Sequence, residues 1–407
     1  MTHPQLAQLH PYPFEKLKAL KSELTPPAHL SHIPLSIGEP KHTPPQFVLD
    51  SLVTNINQVS AYPTTKGTDE LRQAISEWAS KRFSLSANSL QTDKHILPVN
   101  GTREALFAFT QAVIDPTTQP LVISPNPFYQ IYEGASILAG AELKLLSCLE
   151  QNNYLPDFSE VTEAEWQRCQ LLFLCSPGNP TGQLLDSQQY QALIALADRY
   201  DFIIASDECY SELYRDEQAP PVGLLQACAE MGRDNFERCV VFHSLSKRSN
   251  LPGLRSGFVA GDEKLMKQFL LYRTYHGCAM SIPTQLASIA AWQDEQHVIE
   301  NRNQYREKYR LFKEILDGVW DIPQPPASFY LWAKTPIDDV RFTQQLFSEQ
   351  HITVLPGRFL SRDCYSEKGN GINPGENHVR MALVAPVEEC KEAALRLKNF
   401  IQSIKAE

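Results

Sequence analysis

One lysine, Lys247, lies in a stretch whose neighbouring residue types suit covalent chemistry. Ser244 and Ser246 precede it and Arg255 follows it, between two short apolar runs that predict buried strands joined by a loop. A lysine whose pKa is lowered in such a place condenses with an aldehyde, while hydroxyls and an arginine bind phosphate. Pyridoxal phosphate (PLP) carries both groups. An ordinary solvated lysine explains this stretch, taken alone, equally well.

Four further residues have the types that a PLP ring needs around it. Asp207 ends an apolar run, where an unpaired carboxylate is costly, and a protonated pyridine nitrogen would resolve that cost. Asn179 and Tyr210 can donate hydrogen bonds to the ring oxygen, and Tyr129 offers a face for stacking. We therefore predict Lys247, Asp207 and Tyr210 as catalytic residues.

A phosphate cradle can be assembled from two segments. Gly101, Thr102 and Arg103 begin a predicted helix directly after a short strand, so their amides can face an anion. Simple helix capping explains the same pattern. Together with the serines and the arginine of the Lys247 stretch, these residues form the predicted phosphate site.

Two residues outside these segments are predicted to bind substrate, together with Asn179. Arg380 lies in a predicted inner strand, where an arginine needs an anion. A substrate carboxylate held in bidentate fashion meets that need, and so does an internal salt bridge. Gly38 lies in a strand broken by glycine and proline, where it either lets a ligand approach the backbone or forms a plain turn.

The elements that must position these residues are short, wholly apolar strands alternating with helices. This pattern predicts a mainly parallel sheet that helices cover on both faces. Ligands of such sheets bind beyond the carboxyl ends of the strands. The polar clusters each follow directly on one of these strands, at Gly101, Tyr129, Asn179, Asp207 and Lys247. We therefore expect them to converge on one site.

The chain of 407 residues is too long for a single core, which stops growing at roughly 250–300 residues. We predict an α/β fold with a large PLP-binding domain, whose mainly parallel sheet lies between helices, and a smaller α+β domain. Residues 1–45 are assigned to an N-terminal arm and part of the small domain. The large domain is placed at 46–290 and the small C-terminal domain at 291–407, joined by a long helix.

Composition narrows the classes of partner. A net charge of −10 argues against nucleic acid but not against small anionic substrates. The nine cysteines are scattered without a CxxC pair, so we expect reduced thiols and no metal site or disulfide framework. No run approaches the ~18 apolar residues of a membrane span, and a signal-peptide pattern is missing, which predicts a cytoplasmic protein without a membrane partner.

The motifs now resemble those of a known family. PGNPTG at 177–182, Asp207-Glu-x-Tyr210, Ser244-x-Ser-Lys247 with Arg255, and Arg380 resemble the fold-type I, class I/II PLP-dependent aminotransferases in type and order. The resemblance covers nearly the whole chain. It implies an aspartate-aminotransferase-like fold, Lys247 as the Schiff-base lysine and proton shuttle, Arg380 as the α-carboxylate clamp, and ping-pong transfer. It also implies a homodimer with active sites at the subunit interface, in which Tyr62 of one subunit reaches the PLP phosphate of the other.

A narrower resemblance rests on residues 12–17, 35–42, 126–133 and 246–253, which are similar to the succinyldiaminopimelate aminotransferases of the bacterial lysine pathway. It implies transfer of an amino group between glutamate and N-succinyl-2-amino-6-oxopimelate. Such a substrate carries several carboxylates, so additional cations are expected at the mouth of the site. The candidates, each of which can also be a plain surface charge, are Lys41, Arg248, Arg273 and Arg358.

Several alternatives stay open from the sequence. They are an aminotransferase for aspartate, aromatic amino acids or free diaminopimelate, and a PLP-dependent lyase or synthase. A PLP-binding regulator without turnover would need an added DNA-binding domain, and residues 1–45 are too short and too proline-rich to supply one. The segment Arg248-Ser-Asn250 carries part of the narrower resemblance without an assigned chemical role.

Overall fold

The computed structural model describes residues 3–365 and 371–406. Its strands fall into one large and several small sheets. They are β1 (Ile33–Pro34), β2 (Ile96–Val99), β3 (Leu121–Asn126), β4 (Glu142–Ser147), β5 (Cys169–Cys175), β6 (Ile203–Asp207), β7 (Cys239–Ser244), β8 (Gly257–Gly261), β9 (Tyr330–Lys334), β10 (Ile352–Thr353), β11 (Leu355–Pro356), β12 (Cys364–Tyr365), β13 (Gly371–Ile372) and β14 (His378–Ala382).

Helices separate most of these strands along the chain. They are α1 (Pro13–Lys21), α2 (Gln46–Thr54), α3 (Asp69–Arg82), α4 (Thr92–His95), α5 (Thr102–Val113), α6 (Ile131–Leu138), α7 (Glu163–Arg168), α8 (Ser187–Tyr200), α9 (Leu224–Glu230), α10 (Leu245–Arg248), α11 (Glu263–His276), α12 (Ile282–Gln293), α13 (Gln296–Leu316), α14 (Asp339–Gln350) and α15 (Val387–Ala406).

The large sheet has the strand order β2-β8-β7-β6-β5-β3-β4. Strand β8 runs antiparallel to both of its neighbours, and the other adjacent pairs are parallel. The predicted α/β class with a mainly parallel sheet is confirmed. The two apolar runs around the Lys247 stretch are the strands β7 and β8, as predicted, and they pair antiparallel. The connection between them was expected to be a loop, but it contains the short helix α10, which carries Lys247.

Both faces of the large sheet are buried. Along β5, Leu172 and Leu174 belong to one hydrophobic core, and Leu171 and Phe173 belong to the core on the opposite face. Successive side chains of a strand point to opposite faces, so a strand covered on both sides must be apolar at every position. This explains why these strands read as continuous apolar runs.

A second, smaller sheet of order β11-β14-β9 is antiparallel throughout. Its core includes Leu331 of β9, Met381 of β14, Phe342 of α14 and Leu397 of α15. The N-terminal segment joins this part of the molecule because β1 pairs in parallel with β10.

Helix α13 connects the two sheets. Its C-terminal half contributes Tyr309, Phe312 and Leu316 to the core of the small sheet. Its N-terminal half buries Asn301 against the backbone that follows β7. A helix of 21 residues is about 31 Å long, which is enough to pack against both parts.

The carboxyl ends of the central strands lie side by side. Cys175 at the end of β5 is in register with Asp207 at the end of β6, and Asp207 is in register with Phe242 of β7. The residues that follow these strands therefore enter one region, as predicted. In the part of the chain that is described, none of the helices has the length and apolar character needed to cross a membrane. The nine cysteines are free thiols.

Candidate active site

A cavity of about 420 Å³ opens where the strand ends meet the small sheet and the N-terminal segment. Twelve of the predicted site residues line it: Gly38, Thr102, Arg103, Tyr129, Asn179, Asp207, Tyr210, Ser244, Ser246, Lys247, Arg255 and Arg380. Gly101 and Tyr62 do not. Of the clusters expected to converge from the strand ends, those at Tyr129, Asn179, Asp207 and Lys247 line the cavity, and Gly101 does not.

Lys247 lies on the short helix α10, which begins with Ser244 as its N-cap. The Nζ atom donates a hydrogen bond of 2.5 Å to the carbonyl oxygen of Gly38. Burial lowers the pKa of Lys247 from 10.5 to about 8, and the guanidinium of Arg380 adds to the effect. The amine is therefore far more often neutral near pH 7 than that of an exposed lysine, as its predicted chemistry requires.

Asp207 presents a buried carboxylate to the cavity, with 4% of its surface exposed. The hydroxyl of Tyr132 donates to its Oδ2 at 2.8 Å, and the backbone N–H of Cys209 donates to Oδ1 at 3.3 Å. No lysine or arginine in residues 3–365 and 371–406 forms an ion pair with it. Burial raises the pKa of Asp207 for that reason.

The predicted phosphate cradle is assembled around Ser244, Ser246 and Arg255. The Ser244 hydroxyl donates to the Oγ of Ser246 at 2.8 Å. Gly101 has φ +87°, and a side chain at this position would meet the Nη2 atom of Arg255 at 2.1 Å. Gly101 thus contributes space for the Arg255 guanidinium beside Thr102, the first residue of α5, and does not itself line the cavity.

Arg103 contributes its side chain to the cavity in addition to the backbone amide predicted from the sequence. Its Nε donates to the hydroxyl of Tyr129 at 2.5 Å, and its Nη2 donates to the hydroxyl of Tyr12 at 3.3 Å. Burial raises the pKa of Tyr129, which therefore stays protonated. The structure records no carboxylate paired with this guanidinium among the described residues.

Arg380 lies on β14, the middle strand of the small sheet. Its Nη1 donates to the Oδ1 of Asn179 at 2.9 Å, and its Nη2 donates to the carbonyl of Ser36 at 2.8 Å. Its buried Nε has no hydrogen-bond partner among the described residues. The alternative of an internal salt bridge is not observed within that part of the chain, which leaves the guanidinium charge without an anion.

Tyr210 and Gly38 meet at a residue that sequence reasoning missed, Tyr330 of β9. The hydroxyls of Tyr210 and Tyr330 are 3.1 Å apart. A side chain at Gly38 would meet the Tyr330 hydroxyl at 1.9 Å, so the glycine permits the close approach of a protein side chain. Burial raises the pKa of Tyr210, which keeps its phenol available as a donor.

Two other residues of the site were also missed. Tyr132 lies within an apolar helical pattern and was given no role in the site, although its hydroxyl reaches Asp207. Cys209 lies between Asp207 and Tyr210 in the sequence and lines the cavity, with its Sγ 3.0 Å from the Oγ1 of Thr102. The position of Cys209 between two predicted site residues was the sequence signal that could have identified it.

The candidate cations for a distal carboxylate were mostly wrong. Arg248 pairs with Glu295, Arg273 with Glu104 at 2.8 Å, and Arg358 with Asp339 at 2.6 Å. None of these three arginines lines the cavity. Each charge is compensated within the protein, so it is not available to a substrate. Lys41 remains near the cavity mouth, where it pairs with Glu39 at 3.1 Å.

Two observations concern residues outside the cavity. Tyr62 is fully exposed, so the expectation that it reaches a second subunit's cofactor stays a prediction. Glu104, His276 and Cys278 bring potential metal-ligand atoms within 4.8 Å of one another, although no metal site was predicted. The same Glu104 carboxylate accepts hydrogen bonds from Arg273, which competes with a cation there.

Comparison with known proteins identifies a family whose members are similar to this chain. The profile of the family described as "Aminotransferase class I and II" matches residues 31–397, a span that includes every predicted site residue. The LL-diaminopimelate aminotransferase of Maridesulfovibrio salexigens is 30% identical over 402 residues, which cover 97% of this chain and 98% of that protein.

Two solved structures are similar over almost the whole chain. An aminotransferase from Neisseria meningitidis has a TM-score of 0.92 and 49% identity, covering 99% of this chain and 100% of that one. A Thermus thermophilus protein described as a probable N-succinyldiaminopimelate aminotransferase has a TM-score of 0.83 and 26% identity, covering 95% and 99%. The fold similarity therefore extends over both sheets.

Proposed function

This chain belongs to the class I and II aminotransferases, a PLP-dependent family, and from that premise we propose that it transfers an amino group between glutamate and N-succinyl-2-amino-6-oxopimelate. The observation that carries the substrate class is a cavity with two guanidinium groups, Arg380 and Arg103, that lack a carboxylate partner among the described residues. A substrate with a carboxylate at each end would neutralise both.

The residues around the cavity fit PLP. The buried Asp207 carboxylate lacks a cationic partner in the described chain, and a protonated ring nitrogen would supply one. Asn179 and Tyr210 would hold the ring oxygen, and Tyr129 would cover the ring face. Bound there, PLP withdraws electrons from the substrate's α-carbon, which makes loss of the α-proton feasible.

The phosphate would lie against four side chains that line one part of the cavity. Ser244 and Ser246 offer hydroxyls and Arg255 offers a charged fork, while Thr102 begins a helix of 12 residues whose N-terminal amides favour an anion. Gly101 supports this group indirectly, because its missing side chain leaves room for the Arg255 guanidinium.

Lys247 has two tasks in this proposal. Its Nζ would hold the cofactor covalently between turnovers, and as a free amine during turnover it would move the substrate's α-proton. A pKa near 8 suits both tasks, because a proton carrier works best when its pKa is close to the working pH. Glutamate gives up its amino group in the first half of the cycle, and the oxo acid receives it in the second.

Arg380 would orient the substrate by its α-carboxylate. Its hydrogen bonds to Asn179 and Ser36 fix the guanidinium plane, and the fixed plane presents its remaining donors to a carboxylate in one orientation. Holding the α-carbon in this way would bring its proton toward Lys247.

Arg103 would recognise the distal end of the substrate. The Tyr12 and Tyr129 hydroxyls hold its side chain, and its other N–H groups have no recorded partner among the described residues. Among the described residues, the one carboxylate that lines the cavity besides Asp207 is Glu39, which already pairs with Lys41. An N-acylated distal group has no ammonium and needs no carboxylate, so this charge pattern favours the succinylated substrate.

LL-Diaminopimelate is the second candidate. It is favoured by the name of the Maridesulfovibrio relative, and its second ammonium would need Glu39 to exchange Lys41 for the substrate. The Glu39–Lys41 pair is exposed, and exposed pairs contribute only about 0–1 kcal/mol, so such an exchange is inexpensive.

A coupled assay separates the candidates. The purified protein is given glutamate with either the succinylated or the free amino-oxopimelate, and 2-oxoglutarate is measured. We expect the kcat/KM of the succinylated acid to be higher by at least about tenfold. The reverse ratio would establish LL-diaminopimelate instead, and preference for oxaloacetate or an aromatic oxo acid would refute both. Ammonia released without an amino acceptor would indicate a lyase.

Matched variants test the roles. Lys247→Ala should abolish covalent attachment of PLP, and Arg380→Ala should raise the KM for every amino acid. Arg103→Met should raise the KM of dicarboxylic substrates by about tenfold, which is the expected loss of one charged hydrogen-bonded contact, and should spare alanine. Lys41→Met removes a cation that is already paired near the same mouth and should change little. An equal effect of both substitutions would contradict the role of Arg103.

We also propose a homodimer in which Tyr62 of the partner subunit completes the phosphate site. The support is an exposed apolar surface around α2, formed by Val53, Ile56, Val59 and the fully exposed Tyr62. Sedimentation should show a dimer. The Tyr62→Phe substitution should weaken PLP binding while the protein stays dimeric. A monomer with full PLP affinity would refute this.

A further inference from the structure

The segment Arg248-Ser-Asn250 follows the catalytic lysine directly, yet none of its side chains lines the cavity. Arg248, Ser249 and Asn250 are 2%, 1% and 5% exposed. Burying an arginine and an amide requires specific partners. All three find them on one stretch of chain, from the end of α12 into the first half of α13.

Arg248 contacts the junction between these helices. Its Nη1 donates to the carbonyl of Ala291 at 2.7 Å, and its Nη2 donates to the carbonyl of Asp294 at 3.1 Å and pairs with Glu295. The guanidinium also lies 5.0 Å from the ring centre of Trp292. This arginine therefore fixes α10 to the α12–α13 junction.

Ser249 makes the next contact. Its Oγ is 2.8 Å from Nε2 of His297, whose Nδ1 is 2.5 Å from Asp294. The order Ser–His–Asp is that of a hydrolytic triad, but Ser249 is sealed from solvent and accepts a hydrogen bond from Arg248. A nucleophile must be reachable by its substrate, so this arrangement serves as a tether.

Asn250 and Asn301 complete the connection. The Nδ2 of Asn250 donates to the Oδ1 of Asn301 at 3.1 Å. The Nδ2 of Asn301 donates in turn to the carbonyl of Lys247 at 3.1 Å and to that of Arg248 at 3.2 Å. A single buried amide on α13 thus holds the backbone of the catalytic lysine.

The same amide is tied to the segment that faces the lysine's amine. His42 Nδ1 is 2.7 Å from the Oδ1 of Asn301, and Lys308 donates to His42 Nε2 at 2.6 Å and to the carbonyl of Leu383 at 3.0 Å. Because Lys308 donates to Nε2, Nδ1 of His42 must carry the proton and donate to Asn301. Four residues before His42, the carbonyl of Gly38 accepts from Lys247 Nζ.

We propose that Asn301, with the latch formed by Arg248, Ser249 and Asn250, is a positioning residue that holds Lys247 in place for the reaction proposed above. Helix α10 has four residues, too few to be stable without tertiary contacts. The backbone of Lys247 therefore takes its position from these buried hydrogen bonds, while its amine is directed by the 38–42 segment. The inference rests on Lys247 as the PLP lysine of the proposed function.

The test compares Asn301→Asp with Arg302→Ala. The aspartate keeps the size and the acceptor of Asn301 but removes its donated bonds to the carbonyls of Lys247 and Arg248. Arg302 is the next residue on α13, is 3% exposed and bonds to Glu217 and Glu212. In the described chain neither glutamate forms a hydrogen bond with Arg248, Ser249 or Asn250. Its loss should lower thermal stability at least as much as the change at Asn301.

Three quantities are measured on the full-length variants: the rate of covalent PLP attachment to cofactor-free protein, kcat and KM for glutamate, and the thermal midpoint. For Asn301→Asp we expect attachment and kcat each to fall by about tenfold with KM within about twofold, as for the loss of one or two buried hydrogen bonds. Arg302→Ala should leave attachment and kcat unchanged.

Two outcomes would overturn the proposal. In the first, the attachment rate and kcat of Asn301→Asp stay within about twofold of the wild-type values. In the second, Arg302→Ala slows PLP attachment as much as Asn301→Asp does. If Asn301→Asp does not fold, Asn250→Ser must slow attachment in its place. The attachment assay uses no amino acid, so a wrong substrate assignment leaves it unaffected. Failure of the wild-type protein to attach PLP at Lys247 would instead refute the proposed function.

Discussion

The rate of covalent PLP attachment to the cofactor-free protein should rise with pH up to about 8 and then level off. A neutral amine is needed for the attack, and burial lowers the pKa of Lys247 from 10.5 to about 8. The Arg380 guanidinium acts in the same direction, whereas the Glu39 carboxylate acts against it. Below this pKa each pH unit should change the rate about tenfold.

The magnitude follows from the two pKa values. At pH 7, a pKa of about 8 leaves about one amine in ten neutral, whereas the ordinary value of 10.5 leaves about one in three thousand. The cavity therefore increases the reactive fraction by roughly 300-fold, which corresponds to about 3 kcal/mol at 1.36 kcal/mol per unit.

The assay mixes cofactor-free protein with PLP between pH 6 and 10, traps the product with borohydride and quantifies the Lys247 peptide by mass. Glu39→Gln removes the carboxylate that supports the charged amine, so the midpoint should move to lower pH. Glu70→Gln, at an exposed glutamate of α3, changes the net charge equally and should leave the midpoint in place. A rate that keeps rising tenfold per unit from pH 8 to 10 would refute the reasoning.

Three further variants address the buried groups. Tyr132→Phe keeps the ring but removes the 2.8 Å donor to Asp207, so the pKa of that carboxyl should rise further and kcat should fall by about tenfold, with PLP still attached. Gly101→Ala forces the Arg255 guanidinium from its place, so equilibrium dialysis should show PLP affinity lowered by about tenfold in a folded protein. Lys308→Met tests the buried ammonium, whose pKa burial lowers from 10.5 to about 8. The unfolded chain keeps this proton up to about 10.5, so urea titrations should show wild-type stability rising relative to the variant by about 2 kcal/mol between pH 7.5 and 9.5. A difference in unfolding free energy between wild type and variant that does not change with pH would contradict the burial of the Lys308 ammonium.

The parts of the fold and site that could be predicted are those with local signals. The runs 171–175 of β5, 203–205 of β6 and 239–242 of β7 are wholly apolar, because both faces of the sheet are covered. The polar residues that follow these strands reach one cavity, because parallel strands end at one edge of their sheet. Asn179, Asp207 and Lys247 were identified for this reason without any knowledge of their contacts.

The wrong predictions concern charges whose partners are distant in sequence. Arg248 bonds to a glutamate 47 residues away and Arg273 to one 169 residues away. Arg358 pairs with an aspartate 19 residues earlier, on a different element. The sequence left each of these arginines as a substrate contact or a plain surface charge. Residue type shows that an arginine needs an anion but does not show where the anion comes from, so the internal partners were not predicted.

Two glycines and a buried asparagine show which features of the site can be predicted from local sequence and which cannot. Gly38 was recognised as a possible place of close ligand approach and Gly101 as an amide facing phosphate, but the atoms that approach these glycines are the hydroxyl of Tyr330 and the guanidinium of Arg255. In both positions a missing side chain signals a neighbour without identifying it. Asn301 has no such signal, since an asparagine in a helix usually faces solvent, and its role exists because α13 crosses the end of α10. The residues that would contact PLP can therefore be predicted from their positions at strand ends. The residues that fix those groups in place cannot be predicted in this way, because their contacts arise where distant helices cross.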